Sequence, residues 1–241
     1  MSSESEVAAT PTPLAITALL QRMIWSRGWD LAMRAVAVLF HGLLMLKQCI
    51  GLIKLFAARA DHSLLFFTTA VVARLALIMF LSLIVLVMIV RLRPVAKASG
   101  VLPRLFALVG TCMPSFMTLL PRNPDSVAVN TVSLALLAIG SALAVYAFSY
   151  LNRSASIMPE ARRLVTGGPY RFLRHPVYLF EEIGIIGLAL PFASVWALLL
   201  LLLHIACQFQ RMKNEERVLR GAFPEYDDYA RRTARVIPGL Y

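Results

Sequence analysis

The sequence predicts an all-α integral membrane protein: four transmembrane helices, a C-terminal transmembrane helical hairpin, a cytoplasmic cofactor-binding loop and a C-terminal lid. Three observations carry that expectation. Of the 241 residues 59% are hydrophobic, against about 45–50% in soluble domains. Apolar runs recur at close to the ~20 residues a helix needs to cross a hydrocarbon core of about 30 Å. Charge is sparse and one-sided, with 24 Lys and Arg against 13 Asp and Glu, and the cations flank the apolar runs. That placement suits membrane orientation and anionic headgroups rather than nucleic acid.

Residues 1–30 begin with a Ser-, Ala- and Pro-rich stretch expected to be disordered. Leu14–Trp29 then reads either as an interfacial amphipathic helix or as an extension of the first span. A four-span membrane region fills 31–151. Its first span, near 33–56, is interrupted by His41, Lys47, Gln48 and Lys54. Ionisable groups at that depth are either functional or snorkel to the interface. The second span, Val71–Val90, carries one charge, Arg74, near its end. The third runs from about Leu105 to Leu120 with a kink expected at Pro114. The fourth runs from Val127 to about Leu151, where Gly140, Ser141 and Ala142 permit close packing.

Residues 152–241 form the last region. A basic loop leads into two apolar stretches, Val177–Leu190 and Phe192 to about Gln210, broken at Pro191, and then a polar tail. The loops 91–104 and 152–174 and the tail are rich in Lys and Arg, whereas those near 57–63 and 121–126 are poor. The N-terminus, the central loop and the C-terminus are therefore expected together on the cytoplasmic side. Cys49, Cys112 and Cys207 sit singly in apolar runs with no Cys-x-x-Cys spacing, so no metal site is expected.

The polar stretch Leu164–Tyr178 reads as a cofactor-binding loop. Thr166-Gly-Gly-Pro-Tyr170 allows a tight turn and close backbone approach to a ligand. Tyr170 and Tyr178 suit either the membrane interface or the flanks of an adenine. Arg174-His175-Pro176 opens a helix with proline in its first turn, where free N–H groups are able to receive a carboxylate. His175 is a hydrogen-bond candidate for a ribose or carboxylate, or else a structural interfacial residue.

On the last helix His204, Gln208, Arg211 and Glu215 are spaced 4, 3 and 4 apart and share one face. Either Arg211 and Glu215 form a helical ion pair at the interface, or the whole stripe lines a protected cavity. The ion pair alone leaves His204 and Gln208 unexplained. Of the adjacent Glu215 and Glu216, one can pair with Arg211 while the other faces a ligand. Phe223, Tyr226 and Tyr229 have the spacing of a docking face, and the tail reads as a lid over the central loop.

In combination and in order, Gly167-Gly-Pro-Tyr-Arg-Phe-Leu-Arg-His-Pro-Val-Tyr178, Arg211-x-x-x-Glu215-Glu216, Phe223-Pro-Glu-Tyr-x-x-Tyr229 and the terminal Ile237-Pro-Gly resemble the isoprenylcysteine carboxyl methyltransferase family and the related phospholipid methyltransferases. The resemblance covers about residues 160–241. It implies a multi-pass membrane methyltransferase that uses S-adenosylmethionine on a lipid or prenylated acceptor, by carboxylate or amine chemistry. Carried onto this chain, Val165, Gly168, Tyr170, His175, Pro176 and Tyr178 would bind the cofactor. Arg211, Glu215 and Glu216 would be catalytic, and His204 and Gln208 would line the route of the acceptor. Phe180 stands where the family often has glycine, followed by Glu181 and Glu182, so the pocket departs from the family's shape there.

Two rival readings accompany this one. A membrane reductase of the sterol-reductase type is similar in its C-terminal third and uses NADPH. A non-enzymatic transporter or sensor subunit predicts polar residues scattered along several spans. Their gathering in the last third favours an enzyme.

Overall fold

The structure is a computed structural model that describes residues 27–121 and 126–239. The expected disordered and interfacial N-terminal stretch therefore lies almost wholly outside the described residues, as do 122–125 of the turn before the fourth span and the last two residues. The helices are α1 (Arg27–Ala57), α2 (Leu64–Val90), α3 (Leu102–Met117), α4 (Val127–Leu151), α5 (Pro176–Ala189), α6 (Val195–Ala222) and α7 (Tyr226–Arg232).

Four of these, α1, α2, α4 and α6, are long and apolar enough to cross a membrane. The chain is thus an all-α, multi-pass membrane protein, as expected. The division of lengths differs in detail. The third span, α3, has 16 residues and α5 has 14, about 24 and 21 Å at 1.5 Å per residue. The second arm of the hairpin is a full-length helix instead. It continues past Gln210 through twelve mostly polar residues to Ala222, a run that hydropathy alone does not mark. Likewise α2 starts at Leu64 rather than Val71, which moves Arg74 from the end of its helix to well inside it.

Local chemistry sets the helix starts. The Ser63, Ser126 and Ser194 side chains accept from the N–H groups of Phe66, Val129 and Ala197 at 3.3, 3.4 and 3.2 Å, satisfying donors that a first helical turn leaves open. Proline occupies the first turn of α3 and α5, where its missing N–H costs nothing.

Packing divides the helices into two groups. In the first, α1, α2, α4 and α5 form a row, each in extensive contact with the next. In the second, α3 pairs with α6. The groups meet only thinly, between α5 and α6 and between α3 and α5. The tightest seam is between α4 and α5. A Cβ on Gly140 would lie 2.7 Å from the Phe180 carbonyl, and one on Gly187 would lie 2.7 Å from the Ser133 carbonyl. Ser133 Oγ donates to Gly187 O across this seam at 2.7 Å. Gly140 faces it; Ser141 is buried and Ala142 is exposed.

The basic loops gather at one end of the bundle. Asp30 at the start of α1 accepts from Arg91 just past α2 at 2.6 Å and from Arg34 at 2.8 Å. A two-residue antiparallel ladder joins β1 (Ala96–Lys97) to β2 (Glu160–Ala161). Arg162 donates to Glu160 at 2.6 Å and to the Leu92 carbonyl at 2.7 Å. Loops more than fifty residues apart in sequence thus form one platform under the central loop.

Candidate active site

A cavity of about 910 Å³ lies between the two helix groups. Val165, Tyr170, His175 and Tyr178 line it from the central loop and the start of α5. Gly168 and Pro176 do not line it; both shape the loop. Gly168 has φ +59° and lies against the Tyr150 ring, which a Cβ would overlap. Both demands, left-handed backbone and close approach, select glycine. Pro176 is fully buried at the first position of α5.

The C-terminal tail is fastened to this loop through the backbone. Arg174 N–H donates to Ala234 O at 2.8 Å, His175 N–H to Arg235 O at 3.1 Å, and Ala234 N–H to Phe172 O at 3.1 Å. The N–H groups of Arg174 and His175, just before the helix, are thus taken by tail carbonyls and are not open to a ligand. Tyr226 and Tyr229 are buried beneath α7, and Tyr229 OH donates to Tyr170 O at 2.8 Å. Phe223 leaves this face and packs with Ala98, Ala161 and Val218.

Burial pushes the Tyr229 hydroxyl up to about 12, and it raises Tyr226 and Tyr170 in the same direction. A raised tyrosine is neutral in the fold when it would already ionise in the unfolded chain, so its contribution is complete below about pH 10 and falls as pH rises towards 12. Unfolding temperature is therefore expected to drop steeply between about pH 10 and 12, with the tail becoming protease-sensitive first. A flat profile across that window would contradict the buried docking of α7.

Opposite the loop stands the α6 stripe. His204, Gln208 and Arg211 are buried, and all four stripe residues line the cavity. Arg211 Nη1 donates to Gln208 Oε1 at 2.7 Å, and its guanidinium lies 5.0 Å from the centre of the Tyr178 ring. Tyr178 OH donates to Glu215. Arg211 and Glu215 therefore both engage Tyr178 from α6, without the direct ion pair that their spacing allows. From α3, Gly110 makes room for Arg211: a Cβ there would lie 3.0 Å from Arg211 Cδ.

Glu215 and Glu216 diverge. Glu215 lines the cavity, whereas Glu216 turns to the loop and tail. Glu216 Oε1 is 3.1 Å from His175 Nε2, and Arg235 donates to both of its oxygens at 2.8 Å. Arg174 stands 3.6 Å away. Two further acids come from α5. Glu181 lines the cavity, and Glu182 Oε2 is 3.3 Å from His204 Nε2. In the sequence this pair stands out only as a departure from the family pattern. The available signal was two adjacent acids inside a fourteen-residue apolar helix, which need an internal partner or a polar cavity.

Several polar atoms on the cavity wall are buried without a hydrogen-bond partner: Tyr170 OH, Tyr226 OH, Gln208 Nε2, Arg211 Nε and His204 Nδ1. Buried polar atoms are ordinarily satisfied, and here the exceptions gather on one cavity wall. Among the described residues no group of three or more His, Cys, Asp and Glu side chains is arranged to hold a metal ion.

Residues 129–226, from α4 to the start of α7, match the phospholipid methyltransferase family. The resemblance read from the motifs thus holds for the C-terminal part of the chain. A nickel-cobalt-cadmium resistance protein of Alcaligenes xylosoxydans xylosoxydans is 39% identical over 82 residues, 34% of this chain and 38% of its own length. A cobalt-zinc-cadmium resistance protein of Cupriavidus metallidurans is 41% identical over 78 residues, 32% of this chain and 36% of its own. The chain thus spans well under half the length of these curated relatives.

Proposed function

We propose, proceeding from the match of residues 129–226 to the phospholipid methyltransferases, that the protein transfers a methyl group from S-adenosylmethionine to the head of a membrane amphiphile. The acceptor is a prenylcysteine-type carboxylate or a lipid amine. The observation that carries this reading is the stripe His204–Gln208–Arg211–Glu215 lining one cavity with Tyr170, His175 and Tyr178. The unpartnered polar atoms on that wall fit a polar ligand.

When bound, S-adenosylmethionine supplies a methyl group already activated on a sulfonium, so the protein's task is chiefly to position the reactants. Val165, Tyr170, His175 and Tyr178 would hold it, on a loop whose shape Gly168 and Pro176 maintain. Arg211, steadied by Gln208 and the Tyr178 ring, would orient an anionic acceptor. Glu215 would take the proton released by an amine acceptor. His204 and Gln208 would line the acceptor's way in from the bilayer. Glu216 would act through His175, by holding loop and tail together. The loop, the tail and the start of α1 would face the cytoplasm, where the soluble cofactor is available.

The test combines two measurements. Calorimetry with S-adenosylhomocysteine and NADPH on purified protein is expected to detect the first ligand only. Membranes given an isotopically labelled methyl donor are expected to yield a labelled lipid-soluble product. Tight NADPH binding without a labelled product would replace this reading with the reductase. Glu215→Gln then separates the chemistries: with an amine acceptor turnover falls about 10²–10⁴-fold, and with a carboxylate it changes little.

A further inference from the structure

Three cations on α1 and α2, at the end of the bundle away from the central loop, take no part in the chemistry above. Lys47, Gly51 and Lys54 are spaced 4 and 3 apart and form one stripe on α1. The stripe faces Arg74 of α2. Arg74 Nη1 donates to Gln48 Oε1 at 3.1 Å, and Gly51 leaves room for the guanidinium, which a Cβ would overlap. Together with Gln48 these residues line a cleft of about 430 Å³ beside Leu43, Leu46 and Ile50; the same five polar and glycine residues also line the far end of the main cavity, so the two spaces adjoin. No carboxylate lines the cleft. Among the described residues, none of the three cations is joined to an acid.

Depth identifies what such a cleft meets. Lys47 and Arg74 each lie ten positions from the turn-side end of their helix, about 15 Å at 1.5 Å per residue, and Lys54 lies about 5 Å from it. The 31 residues of α1 make about 46 Å, close to the 40–45 Å of a bilayer with its headgroups. The stripe therefore descends from the level of the lipid phosphates to the upper acyl chains. Snorkelling accounts for Lys54, which is exposed near the turn. It does not account for Arg74, which is drawn inward by Gln48 and accommodated by Gly51. Uncompensated charge at this depth is unfavourable unless an anion or water meets it.

We propose that this cleft binds the phosphodiester headgroup of an anionic phospholipid, taken from the leaflet at the α1–α2 turn. Its residues lie outside the matched segment 129–226, at the far end of the main cavity, and lipid retention there is read without any methyl transfer. A free phosphate shares the chemistry, but the exposed Leu43, Leu46 and Ile50 beside it suit a ligand that carries acyl chains.

Native mass spectrometry of purified protein, titrated with phosphatidylglycerol and with phosphatidylcholine, tests the proposal. Phosphatidylglycerol is expected to be retained in preference by about tenfold or more, through attraction to closely spaced cations. K47Q/K54Q removes two exposed side chains without touching a packed contact, and it is expected to lose most of that preference. R74Q should lose the remainder, provided its unfolding temperature shows it folded. Equal retention of the two lipids by the wild type, or an unchanged preference in K47Q/K54Q, would overturn the site. Millimolar inorganic phosphate that raises the unfolding temperature as much as phosphatidylglycerol does would overturn the assignment to a lipid.

Discussion

Glu216→Gln is expected to release the C-terminal tail and to abolish cofactor binding together with turnover. The Glu216 side chain is 3% exposed, and its oxygens meet His175, Arg174 and both donors of Arg235. An amide of the same shape presents an NH₂ to donors that need an acceptor. It also removes the countercharge that the two arginines share. Breaking a buried ion pair from one side costs about 3–5 kcal/mol, a large part of the 5–15 kcal/mol that holds a typical domain together. The loss falls on the tail, because the clamp joins segments that otherwise meet through a few backbone bonds and α7. Limited proteolysis after Ala222 and calorimetry with S-adenosylhomocysteine would measure it. A variant with an intact tail and unchanged affinity but slow turnover would instead assign Glu216 to the chemistry.

Gly140→Val is expected to be the most damaging change in the membrane region. The Cβ alone would come within 2.7 Å of the Phe180 carbonyl and would overlap the backbone at Gly184. Neither neighbour is a flexible side chain, so α4 and α5 must part. Overpacking costs about 1–3 kcal/mol where side chains yield, and a backbone contact belongs at or beyond the top of that range. Because α5 carries Tyr178 and Glu181, the displacement reaches the cavity as well. Gly42 is the internal control, with nothing within 4 Å of a Cβ there. Gly42→Ala is expected to be neutral or to stabilise by about 0.5–1 kcal/mol through helix propensity. Unfolding temperatures of the two variants in one detergent would decide the comparison; equal values would remove Gly140 from the seam.

What was legible in the sequence follows from what each signal physically is. The apolar runs revealed the spans, and the boundaries of α4 were read closely because Ser126 and Asn152 flank an unbroken run. Helical spacing carries the last helix into its polar half as far as Glu215, but its final turns to Ala222 are not legible, since their residues face the loops and the tail rather than lipid. The stripe of His204, Gln208, Arg211 and Glu215 was legible because helical spacing alone brings those positions to one face. The fates of Glu215 and Glu216 were not. Adjacent residues point about 100° apart, and which of them meets Arg174 and Arg235 depends on segments that arrive from elsewhere in the chain. The ladder of β1 and β2 was equally invisible, because two residues carry no periodicity. The depth of Arg74 is hidden for a related reason: the polar threonines before it mask about two further turns of helix, from Leu64 to Ala70.

The thin contact between the two helix groups makes this protein mechanically soft in one direction. The row from α1 to α5 is stiff along its seam, where glycines bring backbones together, and α3 is backed by α6. Between them lies the cavity, and the arms α5 and α6 are joined through the short turn Leu190–Phe192. Tyr178–Glu215, Glu182–His204 and the Glu216 clamp hold the groups together at the loop end, so it is at the opposite end, where helix contact is thin, that the pressure of the surrounding acyl chains decides the width of the gap. Thickness and chain packing of the host bilayer thereby become controls on the cavity, acting without any ligand.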